Sequence, residues 1–229
     1  MTNNKNIEVI VSKMLNTLHS STDSYFRNTL VLKITALAER YAPSHEWYID
    51  TMCLLFELGS EYLNEQILNN FLKLVVENCE EDEAFSQEII GKMLQLMNKV
   101  VPTDFIIKAV SWILGEIGSS QEPQKIEELC WSLIKCLEYD YEAESNKVWV
   151  IDAIIKLSST KEFQLHEKVK AILNAYSGNN EIEPYQRSLE SKKLAKYNAA
   201  LRFHNKISFD EDLSFLEGFV SNARRNGAK

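Results

Sequence analysis

An all-α fold is expected from three features of this 229-residue chain. Apolar residues recur at three- and four-residue intervals over most of its length as far as Tyr176, the spacing that gathers them on one face of a helix. Only 7 glycines and 4 prolines are present, too few for the tight turns of a sandwich or barrel. Almost no stretch alternates apolar and polar residues as a half-buried strand does. With 45% hydrophobic residues, the chain can bury a sizeable core.

The stretch from Leu37 to Gly59 organises the rest. Pro43 forbids an uninterrupted helix across Ala42, so the chain turns there. Ser44 is placed to cap a new helix that carries Trp47, Ile49, Leu54, Leu55, Phe56 and Leu58, and Gly59 is expected to end it in the left-handed conformation. The result is a helical hairpin with apolar residues on both arms. One hairpin cannot bury that much alone, so neighbours are needed.

In chain order, a first helix is expected over about Lys5–His19, with Ile7, Val11, Met14, Leu15 and Leu18 on one stripe. A second covers about Ser24–Ala42, with Leu30, Ile34, Leu37, Ala38 and Tyr41 inward, and the third about Ser44–Leu58. Asn64 caps a fourth, about Glu65–Cys79. The acidic run Glu80-Glu81-Asp82-Glu83 reads as a solvated loop leading into the fifth helix, about Ala84–Val100, where acids offset the helix dipole. A metal site is the alternative there, and no second ligand cluster accompanies it. Pro102 stops the fifth helix, and Thr103 caps a sixth over about Asp104–Ile117. After a connection from Gly118 to Pro123 come helices over about Gln124–Tyr139, Ser145–Leu157 and Lys161–Tyr176. Breaks near Pro43, Cys79, Pro102, Tyr139 and Ser159 make hairpins recur at about 40-residue spacing, the signature of a HEAT/armadillo-like α-solenoid.

Composition shifts after Tyr176, which divides the chain into a helical-repeat segment (1–177) and terminal helices (178–229). The segment from Ser177 to Pro184 reads as a linker, followed by a helix over about Tyr185–His204. One face of that helix carries Arg187, Lys192, Lys193, Lys196 and Arg202. A solvated face is the plain reading, and contact with lipid or an acidic partner is the alternative. A short amphipathic segment with Leu213, Phe215, Leu216, Phe219 and Val220 follows, and the tail from Asn222 is expected to fray.

Net charge is -8, which argues against nucleic acid as a main ligand, because phosphate binding needs a basic face. Cys53, Cys79, Cys130 and Cys136 form no Cys-x-x-Cys pair and read as small core residues in a reducing compartment. The polar start has no apolar signal-peptide region, and no run approaches the roughly 18 apolar residues of a membrane span. No catalytic, cofactor or metal site is expected. The histidines, His19, His45, His166 and His204, lie far apart. His45-Glu46 begins like a zinc-protease helix, but Ile49 stands where the second histidine would be needed. Phosphate loops and nucleophile elbows are lacking. Trp47, Trp112, Trp131 and Trp149 read as packing residues, with a binding anchor as the alternative.

Three blocks carry a resemblance. Leu37-Ala-Glu-Arg-Tyr-Ala-Pro43 followed by Trp47-Tyr-Ile-Asp-Thr-Met52, and Ser111-Trp-Ile-Leu-Gly-Glu-Ile-Gly118 downstream, resemble the trunk of the large adaptins of clathrin-type adaptor complexes, in the alpha/gamma/epsilon group. A third block, Leu213-Ser-Phe-Leu-Glu-Gly-Phe-Val220, is similar to the motif where the trunk runs into the hinge, and leans toward epsilon. The resemblance implies the C-terminal part of an α-solenoid trunk, in a non-enzymatic subunit of a heterotetrameric coat adaptor. Its partners would be a beta-type large adaptin, a medium chain and a small chain, with indirect association with membrane and cargo tails. It would reside in the cytoplasm, on trans-Golgi network or endosomal membranes and coated vesicles. The family-motif residues Pro43, Trp47, Tyr48, Asp50, Trp112, Gly115 and Glu116 are read as structural: the tryptophans as packing, Gly115 as a close helix approach and Pro43 as the turn. The alternatives are another HEAT-type scaffold, such as a nuclear transport carrier, and an adaptin fragment that assembles with nothing. Such a fragment is expected to expose Ile7, Val11 and Leu18 and to self-associate.

Overall fold

The structure is a computed structural model that describes residues 6–99, 103–139, 141, 145–158, 171, 174, 182–196 and 214–225. Its helices are α1 (Ile7–Ser20), α2 (Ser24–Tyr41), α3 (His45–Gly59), α4 (Glu65–Glu81), α5 (Glu83–Lys99), α6 (Asp104–Ile117), α7 (Pro123–Cys136), α8 (Ser145–Ser158), α9 (Ile182–Lys196) and α10 (Ser214–Arg225). Among the described residues there is no strand. The fold is all-α, as the sequence periodicity requires.

Capping follows the local chemistry of short polar side chains. Asp23, Ser44, Asn64 and Thr103 each accept a hydrogen bond from the backbone N–H three residues on, at 3.1, 3.2, 3.0 and 3.4 Å. Each cap contributes about 1 kcal/mol. The acidic run is split differently from its expected role. Glu80 and Glu81 are the last residues of α4, and the Asp82 carboxylate accepts from the amides of Ala84 and Phe85 at the start of α5. Only Asp82 and Glu83 therefore stand where acids complement a helix dipole.

Alternate helices share a layer. α1, α3 and α5 pack side by side in one layer, and Lys125 of α7 reaches Gln87 of α5. In the other layer α4, α6, α8 and α9 stack in turn, and Asn70 of α4 bonds Glu39 of α2 at 2.9 Å. Helix starts fall at residues 7, 45, 83 and 123 in the first layer and at 24, 65, 104 and 145 in the second, a period of about 40 residues. This is a two-layer α-solenoid of stacked hairpins.

The core runs between the layers from Ile7 to Leu157. At its centre Phe56 of α3 meets Phe71 of α4 edge-on, with ring centroids 5.0 Å apart, and lies 5.1 Å from Phe105 of α6. Arg27 of α2 closes one end of the first layer. Its guanidinium donates to the carbonyls of Leu18 (2.8 Å), Ser21 (3.2 Å) and Leu58, which α1 and α3 leave unpaired where they end.

Several expectations need correction. Gly59 is not left-handed: its φ is -159°, and α3 passes into a 3-10 turn at Ser60–Tyr62. Glycine is needed there for space, because a Cβ would lie 2.7 Å from Cγ2 of Val31. Ile7, Val11 and Leu18 are fully buried against α2 and α3, so the basis for self-association through that stripe is gone. The segment expected as a linker overlaps α9, which starts at Ile182 with Pro184 buried in its first turn, where a proline costs no hydrogen bond. Likewise Pro123 opens α7 instead of ending the preceding connection. α10 continues through Arg225, beyond the point where fraying was expected. Of the helix expected over about Lys161–Tyr176, only Ala171 and Asn174 are among the described residues, and both are helical; Pro102 lies outside them.

Candidate functional site

The motif residues fall in two separate places. Around α3, Pro43 stands in the turn after α2, and Tyr48 is buried with its ring 6.4 Å from that of Phe71. Burial pushes the Tyr48 phenol well above the usual tyrosine range, and nearby Glu39 adds to this. Trp47 is half-buried against the core, and Asp50 is paired with Lys92 of α5 at 2.5 Å.

The second place is the α6–α8 contact. A Cβ on Gly115 would meet Cα of Ala153 at 2.9 Å, so the two helices touch backbone to backbone. The Glu116 carboxylate pairs with Lys156 of α8. Beside this contact a cavity of about 290 Å³ opens between α6, α8 and α9, lined by Trp112, Trp149, Asp152 and Arg187 among others. The Ser111 hydroxyl at its base is fully buried and has no hydrogen-bond partner. Burial raises the Asp152 carboxyl above the ordinary value, opposed by Arg187 and Lys156.

Arg187, expected on a basic outer face, turns toward α8. It lies 3.7 Å from Asp152 and 3.0 Å from Glu190. Lys193 is exposed. Lys192 and Lys196 belong to α9, but their side chains, like Arg202 altogether, lie outside the described residues.

A feature missed from the sequence ties these places together. Acids on one helix pair with cations on the next helix of the same layer: Asp50–Lys92, Glu57–Lys99 (3.1 Å), Glu65–Lys108 (3.7 Å), Glu116–Lys156 and Asp152–Arg187. In every case the acid comes first in the chain. The signal was present as an acid followed some 35 to 43 residues later by a base, a spacing that means nothing until the repeat length is known.

Nothing in this arrangement is a catalytic constellation. Among the described residues no group of three His, Cys, Asp or Glu could hold a metal ion. Nor is any described helix long and apolar enough to cross a membrane. The four cysteines form no disulfide, and burial pushes Cys53 and Cys130 up to about 12 and Cys136 up to about 11, which disfavours their nucleophilic thiolate forms.

A family model describing the adaptin N-terminal region matches residues 1–198. The chain belongs to the adaptin family. AP-4 complex subunit epsilon-1 of Homo sapiens is 34% identical over 245 residues, covering all of this chain and 21% of the human protein. AP-4 complex subunit epsilon of Arabidopsis thaliana is 24% identical, again covering all of this chain and 26% of the relative. AP-1 complex subunit gamma-1 of Mycosarcoma maydis is 23% identical, covering 85% of this chain and 23% of the relative. This adaptin chain therefore spans about a fifth to a quarter of the length of these relatives. The nuclear-carrier alternative falls with the family match.

Proposed function

We propose that this adaptin is a non-enzymatic scaffold segment of a large chain in a heterotetrameric coat adaptor, acting in vesicle-mediated protein transport. The observation that carries the proposal is the adaptin match over residues 1–198, a span that contains the described two-layer hairpins from α1 to α8. Solenoids act by presenting extended surfaces to other proteins, and the rigid, backbone-close α6–α8 contact suits such a frame. The epsilon-type relatives favour an epsilon-like chain.

In this reading residues 1–177 are trunk repeats and 178–229 lead into a hinge, which puts the chain in the C-terminal part of the trunk. The resemblance of Leu213–Val220 to the trunk-to-hinge motif supports that position. The partners are a beta-type large adaptin, a medium chain and a small chain. The site of action is the cytoplasmic side of trans-Golgi network or endosomal membranes. Lys193 and the basic residues near it on α9 supply a secondary contact with acidic surfaces.

Affinity capture of the tagged chain from its native cells, read by mass spectrometry, tests the proposal. Recovery of a beta-type, a medium and a small adaptor chain is expected. Recovery of none of them would overturn it. Imaging the tagged chain against trans-Golgi and endosomal markers tests the location separately.

A further inference from the structure

We infer that the groove between α1 and α3 is a docking site for a basic amphipathic helix of a partner protein. Two helical stripes face each other across it. On α1 the stripe is Glu8, Val11, Leu15 and His19, spaced three or four residues apart. On α3 it is Trp47, Asp50, Leu54 and Glu57, with the same spacing. Between them lies a cavity of about 440 Å³. Its floor is apolar: Val11 is buried, Leu15 and Trp47 are half-buried, and Leu54 keeps 42% of its surface exposed in the middle of an otherwise core-forming helix. The stripe on α1 runs about 16 Å, three turns of helix.

This geometry fits a third helix laid along the groove, with apolar side chains at every third or fourth position on Trp47, Leu54 and Leu15. Charge selects its chemistry. The lining carboxylates are Glu8, Asp50 and Glu57, and among the described residues no lysine or arginine lines the groove. Lys92 and Lys99 hold Asp50 and Glu57 from the α5 side, and His19 is the one titratable base on the lining. A helix with lysine or arginine flanking its apolar stripe meets carboxylates on both walls, whereas an acidic helix is repelled. The site belongs to the chain itself and does not depend on which complex contains it.

The probe is a panel of fluorescein-labelled, stapled peptides of about 12 residues, the length of three turns. Each carries leucines at helical spacing, with flanks of lysine or arginine in one half of the panel and glutamate in the other. Anisotropy titrations of the full 229-residue chain are expected to show saturable binding of basic members only, weakened by added salt. Leu54→Asp should weaken binding at least about tenfold and Glu8→Lys severalfold, while Leu54→Met leaves it nearly unchanged. Circular dichroism shows whether each variant is folded; Leu54 and Glu8 are exposed, so their substitution spares the core. Equal binding of acidic and basic members would overturn the proposal. So would no binding by any member up to about 1 mM, or a folded Leu54→Asp variant that binds as before. A concentration-dependent dimer of the chain abolished by Leu54→Asp would assign the groove to a second copy instead, and would equally overturn it.

Discussion

Gly115 of α6 lies against Ala153 of α8 with no room for a methyl group between them: an added Cβ would sit 2.9 Å from Cα of Ala153 and 3.0 Å from its Cβ. The obstacle is backbone, which cannot swing aside. Gly115→Ala therefore forces α6 and α8 apart. Alanine gains about 1 kcal/mol in helix propensity, and overpacking costs roughly 1–3 kcal/mol. A net loss of up to about 2 kcal/mol is expected from urea unfolding. A variant as stable as the original would mean the helices separate freely at this point.

Gly91 provides the opposite case. It sits inside α5, and a Cβ there would meet nothing within 4 Å. Gly91→Ala keeps the propensity gain without a clash and is expected to stabilise by up to about 1 kcal/mol. The two glycine variants, measured side by side by thermal melting, should shift in opposite directions.

Lys92 joins α3 to α5 by reaching both Asp50 and Glu88 at 2.5 Å. Burial draws its ammonium pKa down, but the hydrogen bonds and charges of Asp50 and Glu88 outweigh that, and the pKa is raised. A raised folded-state pKa means that the contribution is complete below the unfolded lysine value of about 10.4 and is lost as pH rises through the folded value. Lys92→Met is expected to cost about 0.5–1 kcal/mol at neutral pH. The gap between it and the unsubstituted chain should hold constant up to about pH 10 and narrow above it. A gap unchanged into that range would show that the ion pairs contribute nothing.

Phe56 touches Phe71 and Phe105, so one ring joins α3, α4 and α6 across two successive hairpins. Phe56→Ala is expected to cost about 3–5 kcal/mol. Because each hairpin of a solenoid rests mainly on its neighbours, the loss should also uncouple the first two hairpins from the rest. Calorimetry should then resolve two transitions where the unsubstituted chain shows one. A single transition merely moved to lower temperature would place the cooperative link elsewhere.

The fold was legible because its determinants are local. Ser44, Asn64 and Thr103 cap where short polar side chains precede an apolar run, and the spacing of Ile106, Val110 and Ile113 marks a buried helix face. Gly59 was misread because a glycine at a helix end suits either a left-handed turn or a close neighbour, and only the position of Val31 decides between them. The exposure of Ile7, Val11 and Leu18 expected for an isolated fragment does not occur because α2 and α3 cover them, a pairing that one helix's periodicity cannot report. Arg187 looked like part of a basic face until α8 brought Asp152 to it. The groove between α1 and α3 was hidden for the same reason, since its two stripes become one surface only when the helices lie side by side.

We propose that this adaptin chain works as part of a four-chain coat adaptor. Native mass spectrometry of the complex isolated through the endogenously tagged chain tests it most directly. The expected result is one species with one copy each of this chain, a beta-type large chain, a medium chain and a small chain. The chain recovered alone, or in a stable assembly without those three, would rule out that membership.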